Sequence, residues 1–182
     1  MKEIRVKTPL SDEVVEGLKA GDKVLLSGVV FGARDATHER MFQDIDEDRL
    51  PLDLEGAVIY YVGPTPTPPG KVIGAAGPTT SSRMDSYMPR LLSLGLKATI
   101  GKGYRSREVM DAMVKHGAVY FIAVGGLGAL LSKSIVKSEV VAYEDLGPQA
   151  LFRLELRDFP VLVAYDIGGN SIFEAGVRQY RR

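Results

Sequence analysis

The chain has 182 residues, 45% apolar and 25% charged, with 23 Lys and Arg set against 23 Asp and Glu. That length buries a substantial core and suits one domain, and a net charge of zero argues against nonspecific nucleic-acid binding while leaving room for a local basic pocket. With no cysteine and only His38 and His116 as histidines, this chain can supply no disulfide, thiolate nucleophile, cysteine ligand or histidine-rich metal site.

Residues 3–7 alternate charged and apolar side chains as a half-exposed strand does. The N-terminus has no apolar signal core, and no run approaches the roughly 18 apolar residues of a membrane span, so a soluble cytoplasmic protein is the expectation. Ser11-Asp-Glu-Val-Val-Glu reads as a short capped helix and Gly21-Asp22 as a turn. Val24 to Phe31 is a continuous apolar run suited to a buried strand, closed by Gly32; a helix starts at Arg34-Asp-Ala-Thr-His-Glu-Arg-Met-Phe. Asp44, Asp46, Asp48 and Glu55 imitate a calcium loop, but the sixth position is Arg49 rather than glycine and Pro51 interrupts it, which leaves a solvated acidic face.

Gly56 to Val62 predicts another buried strand, followed by the rigid linker Gly63-Pro-Thr-Pro-Thr-Pro-Pro-Gly70. Gly70-Lys71 lacks the spacing of a P-loop. The stretch Gly74-Ala-Ala-Gly-Pro-Thr-Thr-Ser-Ser-Arg-Met-Asp85 carries the densest chemistry. A short apolar strand, Lys71-Val72-Ile73, leads into it, and the stretch itself reads as a glycine turn, four hydroxyl residues and a helix start with Arg83 in its first turn. Free N–H groups, a helix dipole and a planar guanidinium would together favour an anion. An ordinary capped helix after a tight turn is the equal alternative. That helix should reach about Gly95, with a break near Pro89.

Lys97 to Ile100 predicts a strand, and Gly101-Lys102-Gly103 holds a cation between two glycines. Ser106 caps a helix whose Val109, Met110, Met113 and Val114 form an apolar face, ended by His116-Gly117. Ala118 to Val124 is a buried strand that turns through Gly125-Gly126-Leu127-Gly128 into another helix. From Glu139 the pattern is strands at 140–143, 151–156 and 161–165, with turns at Asp158-Phe-Pro160 and Gly168-Gly-Asn170 and a solvated basic tail at Arg178, Arg181 and Arg182. The class is α/β, a mixed sheet with helices and a strand-rich C-terminal layer.

Arg34, Arg83 and Lys102 each follow an apolar strand, and neighbouring strands would bring them into one crevice suited to a ligand with two carboxylates. Thr79 and Thr80 would lie nearby, with His38 one helical turn from Arg34. The opposing reading makes each cation an exposed loop or helix-end charge. A strong base is missing: threonine needs activation, and Asp35 and Asp85 read as helix-start acids or partners of the cations. A partner must supply something, or the chain only binds.

These motifs resemble the beta subunit, or C-terminal domain, of the class I fumarate hydratases and the related L-tartrate dehydratases. The resemblance spans nearly the whole chain, 1–182 being read as one domain of this type. It rests on Gly21-Asp-Lys-Val-Leu-Leu-Ser-Gly28, Arg34-Asp-Ala-Thr-His38, Tyr61-Val-Gly-Pro64, Gly-Pro-Thr-Thr-Ser-x-Arg-Met-Asp from Gly77 to Asp85, Gly101-Lys-Gly103 with Arg105-Ser106, Gly117-Ala-Val-Tyr-Phe121 with Gly125-Gly126, and Val141-Ala-Tyr-Glu-Asp-Leu-Gly147. Thr37 stands where the family pattern has alanine, and Leu127-Gly128 where it has small residues; neither departure touches the proposed charges. The resemblance implies a swivelling three-layer β/β/α fold and an active site split between two subunits. An alpha partner would hold a four-iron four-sulfur cluster on three cysteines, its open iron acting as a Lewis acid. This chain would supply Arg34, Arg83 and Lys102 for the substrate carboxylates, Thr79 or Thr80 as the base that takes the C3 proton of malate, and His38, Asp35 and Asp85 as orienting groups. The implied activity is the malate–fumarate step of the tricarboxylic acid cycle in a hetero-oligomer. Tartrate dehydration to oxaloacetate is the alternative enzyme reading, and a non-catalytic dicarboxylate-binding module the alternative outside catalysis.

Overall fold

The computed structural model describes residues 3–181, the side chains of residues 178–180 excepted. In chain order the elements are β1 (Glu3–Lys7), α1 (Asp12–Gly17), β2 (Lys23–Gly32), α2 (Asp35–Asp46), β3 (Val58–Tyr60), a 3-10 helix (Ser81–Tyr87) running into α3 (Met88–Ser93), β4 (Ala98–Gly101), α4 (Arg107–His116), β5 (Val119–Ile122), α5 (Gly128–Leu131), β6 (Ile135–Ala142), β7 (Leu151–Tyr165) and α6 (Ile172–Tyr180). Short polar caps start several helices. The hydroxyls of Ser11, Ser106 and Ser171 accept the backbone N–H of Val14, Val109 and Glu174. Gly117, in the left-handed region, ends α4.

The seven strands form one mixed sheet in the order β1-β2-β3-β4-β5-β7-β6, and an antiparallel pairing of β2 with β7 closes part of it on itself. The β2–β7 ribbon is central. On its free edge β2 carries β1 along Lys23–Ser27 and then β3 at Phe31–Gly32. On its own free edge β7 carries β6 along Leu151–Leu156 and then β5 at Leu162–Tyr165. The parallel trio β3-β4-β5 therefore runs from one end of the ribbon to the other.

Period-two alternation gives the trio two apolar faces. Val58, Tyr60, Ile100, Val119 and Phe121 face a core shared with Leu26 and Val30 of β2 and Leu154, Phe159 and Val163 of β7. Ile59, Tyr61 and Tyr120 face a second core shared with Met41 of α2, Met84, Met88 and Leu91 of the 3-10 helix and α3, and Val109 and Met113 of α4. The trio is thus packed between a strand layer and a helix layer. Tyr60, Tyr61, Tyr120 and Phe121 are fully buried, each worth about 1.5–3 kcal/mol of apolar transfer.

Several expectations change. Asp158-Phe-Pro160 does not reverse the chain: β7 is continuous, Asp158 has φ 47°, and the register with β2 slips between Leu26 and Gly28. The turn residues mark a bulge that bends β7, so that β6 pairs with its start and β5 with its end. Lys71 to Ile73 is an irregular loop rather than a strand, and Ser81 begins a 3-10 helix with no side-chain cap at Thr80. The break near Pro89 is present, the 3-10 helix giving way to α3 at Met88, with Pro89 in the first turn of the new helix. Residues 172–180, read as the way into a basic tail, form α6; Arg181 is exposed, while Arg182 and the side chain of Arg178 lie outside the described residues. The acidic run joins an ion-pair face: Asp44 meets Arg49 at 3.6 Å and Asp46 meets Arg90 at 2.6 Å.

Candidate functional site

Strands β1 to β5 are mutually parallel, so β2, β3 and β4 end at the same edge. Arg34 follows β2, Tyr61 to Gly63 follow β3 and Lys102 follows β4. The carboxyl edge of a parallel sheet is where ligand crevices form. The backbone there is tied into one unit. Thr79 donates its N–H to Tyr61 C=O at 2.7 Å and accepts from Lys102 N–H at 3.2 Å, and Ser81 N–H donates to Lys102 C=O at 2.9 Å. Thr80 and Lys102 form a parallel bridge.

Arg34 caps α2 from extended backbone, and its N–H donates to Thr37 Oγ1 at 2.9 Å. The Thr37 hydroxyl donates onward to Gln149 C=O at 2.5 Å. Thr37, set aside as a departure away from the charges, therefore touches the backbone of one of them. A side chain at Gly63 would lie 2.8 Å from Arg34 Nη1, so the guanidinium rests against bare backbone. Asp35 stands between two cations: Oδ1 accepts Arg83 Nε–H at 2.8 Å, and Oδ2 lies 3.7 Å from Arg34 Nη2. Arg83 is 51% exposed and Arg34 24%; Thr80 and Lys102 are exposed and Thr79 half-buried. Arg34 Nε is buried without a hydrogen-bond partner among the described residues.

His38 is fully buried. Its Nδ1 lies 2.7 Å from Arg34 C=O, which sets Nδ1 as the protonated nitrogen, and its ring packs edge-on to Tyr61 and tilted to Tyr87. Burial, opposed by the Arg34 carbonyl and reinforced by the charge of Arg105, lowers its pKa to about 4. The ring is neutral at pH 7 and orients Arg34 through its backbone.

Asp85 does not join the exposed cations. Its Oδ2 accepts Ser106 N–H at 2.7 Å, and its Oδ1 lies 2.9 Å from Arg105 Nε, an ion pair whose N–H does not point squarely at the oxygen. Arg105 was part of a motif with no role assigned, and a cation beside serine in a loop carries no local mark of burial. Here its side chain is wholly enclosed. It donates to Tyr61 Oη at 3.0 Å and lies over the rings of Tyr61 and Tyr120. Burial opposes its charge, but the Tyr61 and Asp85 oxygens outweigh that and hold its pKa above the ordinary value. Ser81, one of the four hydroxyl residues of that stretch, is buried, with Oγ 2.8 Å from Tyr120 Oη.

Ser81 starts a 3-10 turn and not an α-helix, so no α-helix dipole is aimed at this edge, and the positive charge there is that of side-chain cations. Clefts of about 540 and 580 Å3 lie elsewhere, one between Tyr104, Met110 and Phe173 and one between Thr65, Lys71 and Lys133. The cation group lies on an open face. Beside it Val124, Leu127 and Leu130 are 64, 42 and 55% exposed, and a side chain at Gly125 would lie 3.6 Å from Lys102 Cδ. The chain has no cysteine, and the described residues contain no group of three or more metal-ligating side chains; they do not fit an iron–sulfur cluster. Among the described residues no helix is long and apolar enough to cross a membrane.

Residues 1–176 match the family model described as the fumarase C-terminus. The chain is 37% identical to fumarate hydratase 2 of Leishmania major over 176 residues, covering 93% of this chain and 31% of that one. It is 38% identical to the aerobic class I fumarate hydratase of Escherichia coli K12 over 155 residues, 84% of this chain and 28% of that one. It is 36% identical over 172 residues to a Methanocaldococcus jannaschii protein provisionally named L(+)-tartrate dehydratase subunit beta, covering 91% of this chain and 88% of that one. The chain thus spans about three tenths of the two fumarate hydratases and most of the subunit.

Proposed function

The chain belongs to the fumarase C-terminus family, and on that premise we propose that it is the beta subunit of a cytoplasmic hydro-lyase that interconverts S-malate and fumarate. The observation that carries this reading is the cation group at one sheet edge. Asp35 links Arg34 to Arg83, and the Thr80–Lys102 bridge sets the third cation beside both threonines. A four-carbon diacid needs a charge-assisted partner at each end to leave water. Arg34, Arg83 and Lys102 supply them, and Asp35 keeps the two guanidiniums apart and aligned.

Elimination breaks the C3–H bond of malate, turns its electron pair into the C2–C3 double bond and releases the C2 hydroxyl; proton and hydroxide together make water. A proton next to a carboxylate is removable only where the charge spreading onto that carboxylate is stabilised, which is the task of the cations. Thr79 is our candidate for the group that takes the proton. It is half-buried, and its backbone is held from both sides by Tyr61 and Lys102. Neighbouring cations favour its ionised form. Thr80, exposed and one residue on, is the alternative base.

The open face supports a split site. The four-iron four-sulfur cluster is assigned to an alpha subunit, because this chain has no cysteine and its described residues hold no group of three or more metal-ligating side chains. The partner would cover the cations and bury Val124, Leu127 and Leu130, giving a hetero-oligomer. Tartrate dehydration is the second reading, favoured by the near-complete coverage of the subunit from M. jannaschii.

The test is anaerobic fumarate hydration followed by ultraviolet absorbance, with the chain alone and with its cluster-bearing partner, and tartrate beside malate. Activity on malate only in the pair is expected, with Thr79→Val lowering kcat far more than Thr80→Val. Robust activity of the chain alone would overturn the split site, and turnover of tartrate only would replace the substrate. Dicarboxylate binding without turnover in a cluster-loaded pair would make the chain a binding module.

A further inference from the structure

We infer that Arg105 is a positioning residue of this site: its buried ion pair with Asp85 fixes the spacing between Arg83 and Lys102, and so the length of diacid the site accepts. The inference rests on the proposed reading that these two cations grip substrate carboxylates.

Arg105 lies three residues after Lys102, on the same loop. Asp85 lies two residues after Arg83, on the same 3-10 helix. Their 2.9 Å contact joins the two segments inside the protein, below the exposed cations. The guanidinium is placed by several independent contacts. Nη1 donates to Tyr61 Oη at 3.0 Å, and the group sits 5.3 and 5.4 Å from the ring centroids of Tyr61 and Tyr120. Each of those tyrosines supports the loop above. The Tyr61 carbonyl accepts Thr79 N–H. The Tyr120 hydroxyl meets Ser81 Oγ at 2.8 Å and donates to Gly103 C=O at 3.0 Å. Asp85 also accepts Ser106 N–H, which anchors the start of α4. Arg105 therefore touches the support of Thr79, Arg83 and Lys102 while facing none of the open surface.

A buried charge pair is a poor stabiliser compared with a well-packed apolar pair, so stability alone does not account for it; its particular use is to set geometry and register. A planar fork can hold a carboxylate and a phenol at once, and a lysine ammonium cannot hold both in the same directions. His38 reports on the same charge, because Arg105 adds to the burial that keeps its ring neutral. With only two histidines in the chain, its titration is readable by NMR.

The test compares Arg105→Lys, Arg105→Met, Asp85→Asn and the double variant Arg105→Lys/Asp85→Asn, each assembled with the cluster-bearing partner. Malate kcat and KM, thermal melting and the His38 titration are read together. In Arg105→Lys the KM for malate should rise about tenfold, the loss of one charge-assisted contact, while kcat changes far less. His38 should keep its low midpoint in Arg105→Lys and move upward in Arg105→Met. Asp85→Asn should add little to the KM of Arg105→Lys, since both break one link. Discrimination against a five-carbon hydroxy diacid should weaken in all four. Where Arg105→Met does not fold, Arg105→Lys and Asp85→Asn carry the test. A lowered melting temperature with wild-type KM and wild-type discrimination would make the pair merely structural and overturn the inference. A wild-type assembly that does not turn over malate would instead fail the functional reading, and the inference with it.

Discussion

Among the described residues Arg83 meets a single carboxylate, that of Asp35, and it is half exposed, which separates its two contributions. An exposed ion pair adds little to stability, whereas a guanidinium facing a substrate carboxylate makes charge-assisted bonds. Arg83→Ala should lower kcat/KM by about 100-fold or more and change unfolding free energy by less than about 0.5 kcal/mol; steady-state kinetics beside urea melts would check both. His38 behaves in the opposite way. Its folded pKa of about 4 lies below the usual 6.5, so between those values the unfolded chain binds more protons. Stability should therefore fall as pH drops from about 6.5 to 4, by up to about 3 kcal/mol. Urea melts across that range should show the slope in the wild type and a flatter one in His38→Gln. An equal slope in both would locate the titrating group elsewhere.

Between residues and whole molecule, the crossing of β4 with the Thr79–Ser81 segment is the tightest device near the site. Gly101 ends β4, and a side chain there would collide with Ser81 Oγ and lie 2.8 Å from Tyr61 Cδ2. Gly101→Ala should push Ser81 away from Tyr120 and shift the Thr80–Lys102 bridge. A stability loss of about 1–3 kcal/mol is expected, with a fall in kcat/KM that Ala substitution at the open Gly17 does not cause. The bulge at Asp158 works at the same scale. Asp158 N–H donates to Ser27 Oγ at 2.9 Å, and its carboxylate meets Arg5 at 2.6 Å. Both contacts hold the bend that lets β7 serve β6 and β5 in turn. Strand content there was legible from alternation. The continuity was not, because a Pro two residues after an Asp signals a turn and a bulge equally well.

For the whole molecule, the open cation face and the apolar side chains beside it imply that a second surface completes the site. Leu127→Asp should leave folding intact, since the side chain is 42% exposed. It should weaken association with the alpha partner about tenfold or more, through burial of an uncompensated charge. Titrating activity against partner concentration would show the shift, with near-normal kcat at saturation. An unchanged titration would mean that the partner approaches from another side.

The strands β1 to β5, the helices α1, α2 and α4, the caps at Ser11 and Ser106, and the cations Arg34, Arg83 and Lys102 after apolar runs are written in local pattern, because alternation and capping depend on near neighbours. The family motifs carried the same information further and named the order of the parts. Three things were decided only by the tertiary fold. Asp35 bridges Arg34 and Arg83 across 48 residues of sequence. Asp85 turns inward to Arg105 rather than outward to the cations. The Ser81 hydroxyl serves a buried tyrosine rather than a ligand. No periodicity marks such pairs: a charged or hydroxyl residue in a loop looks the same from sequence whether it faces water or the core. What separates the cases is the desolvation cost of burial, which is met only when another element brings the matching group within hydrogen-bond reach.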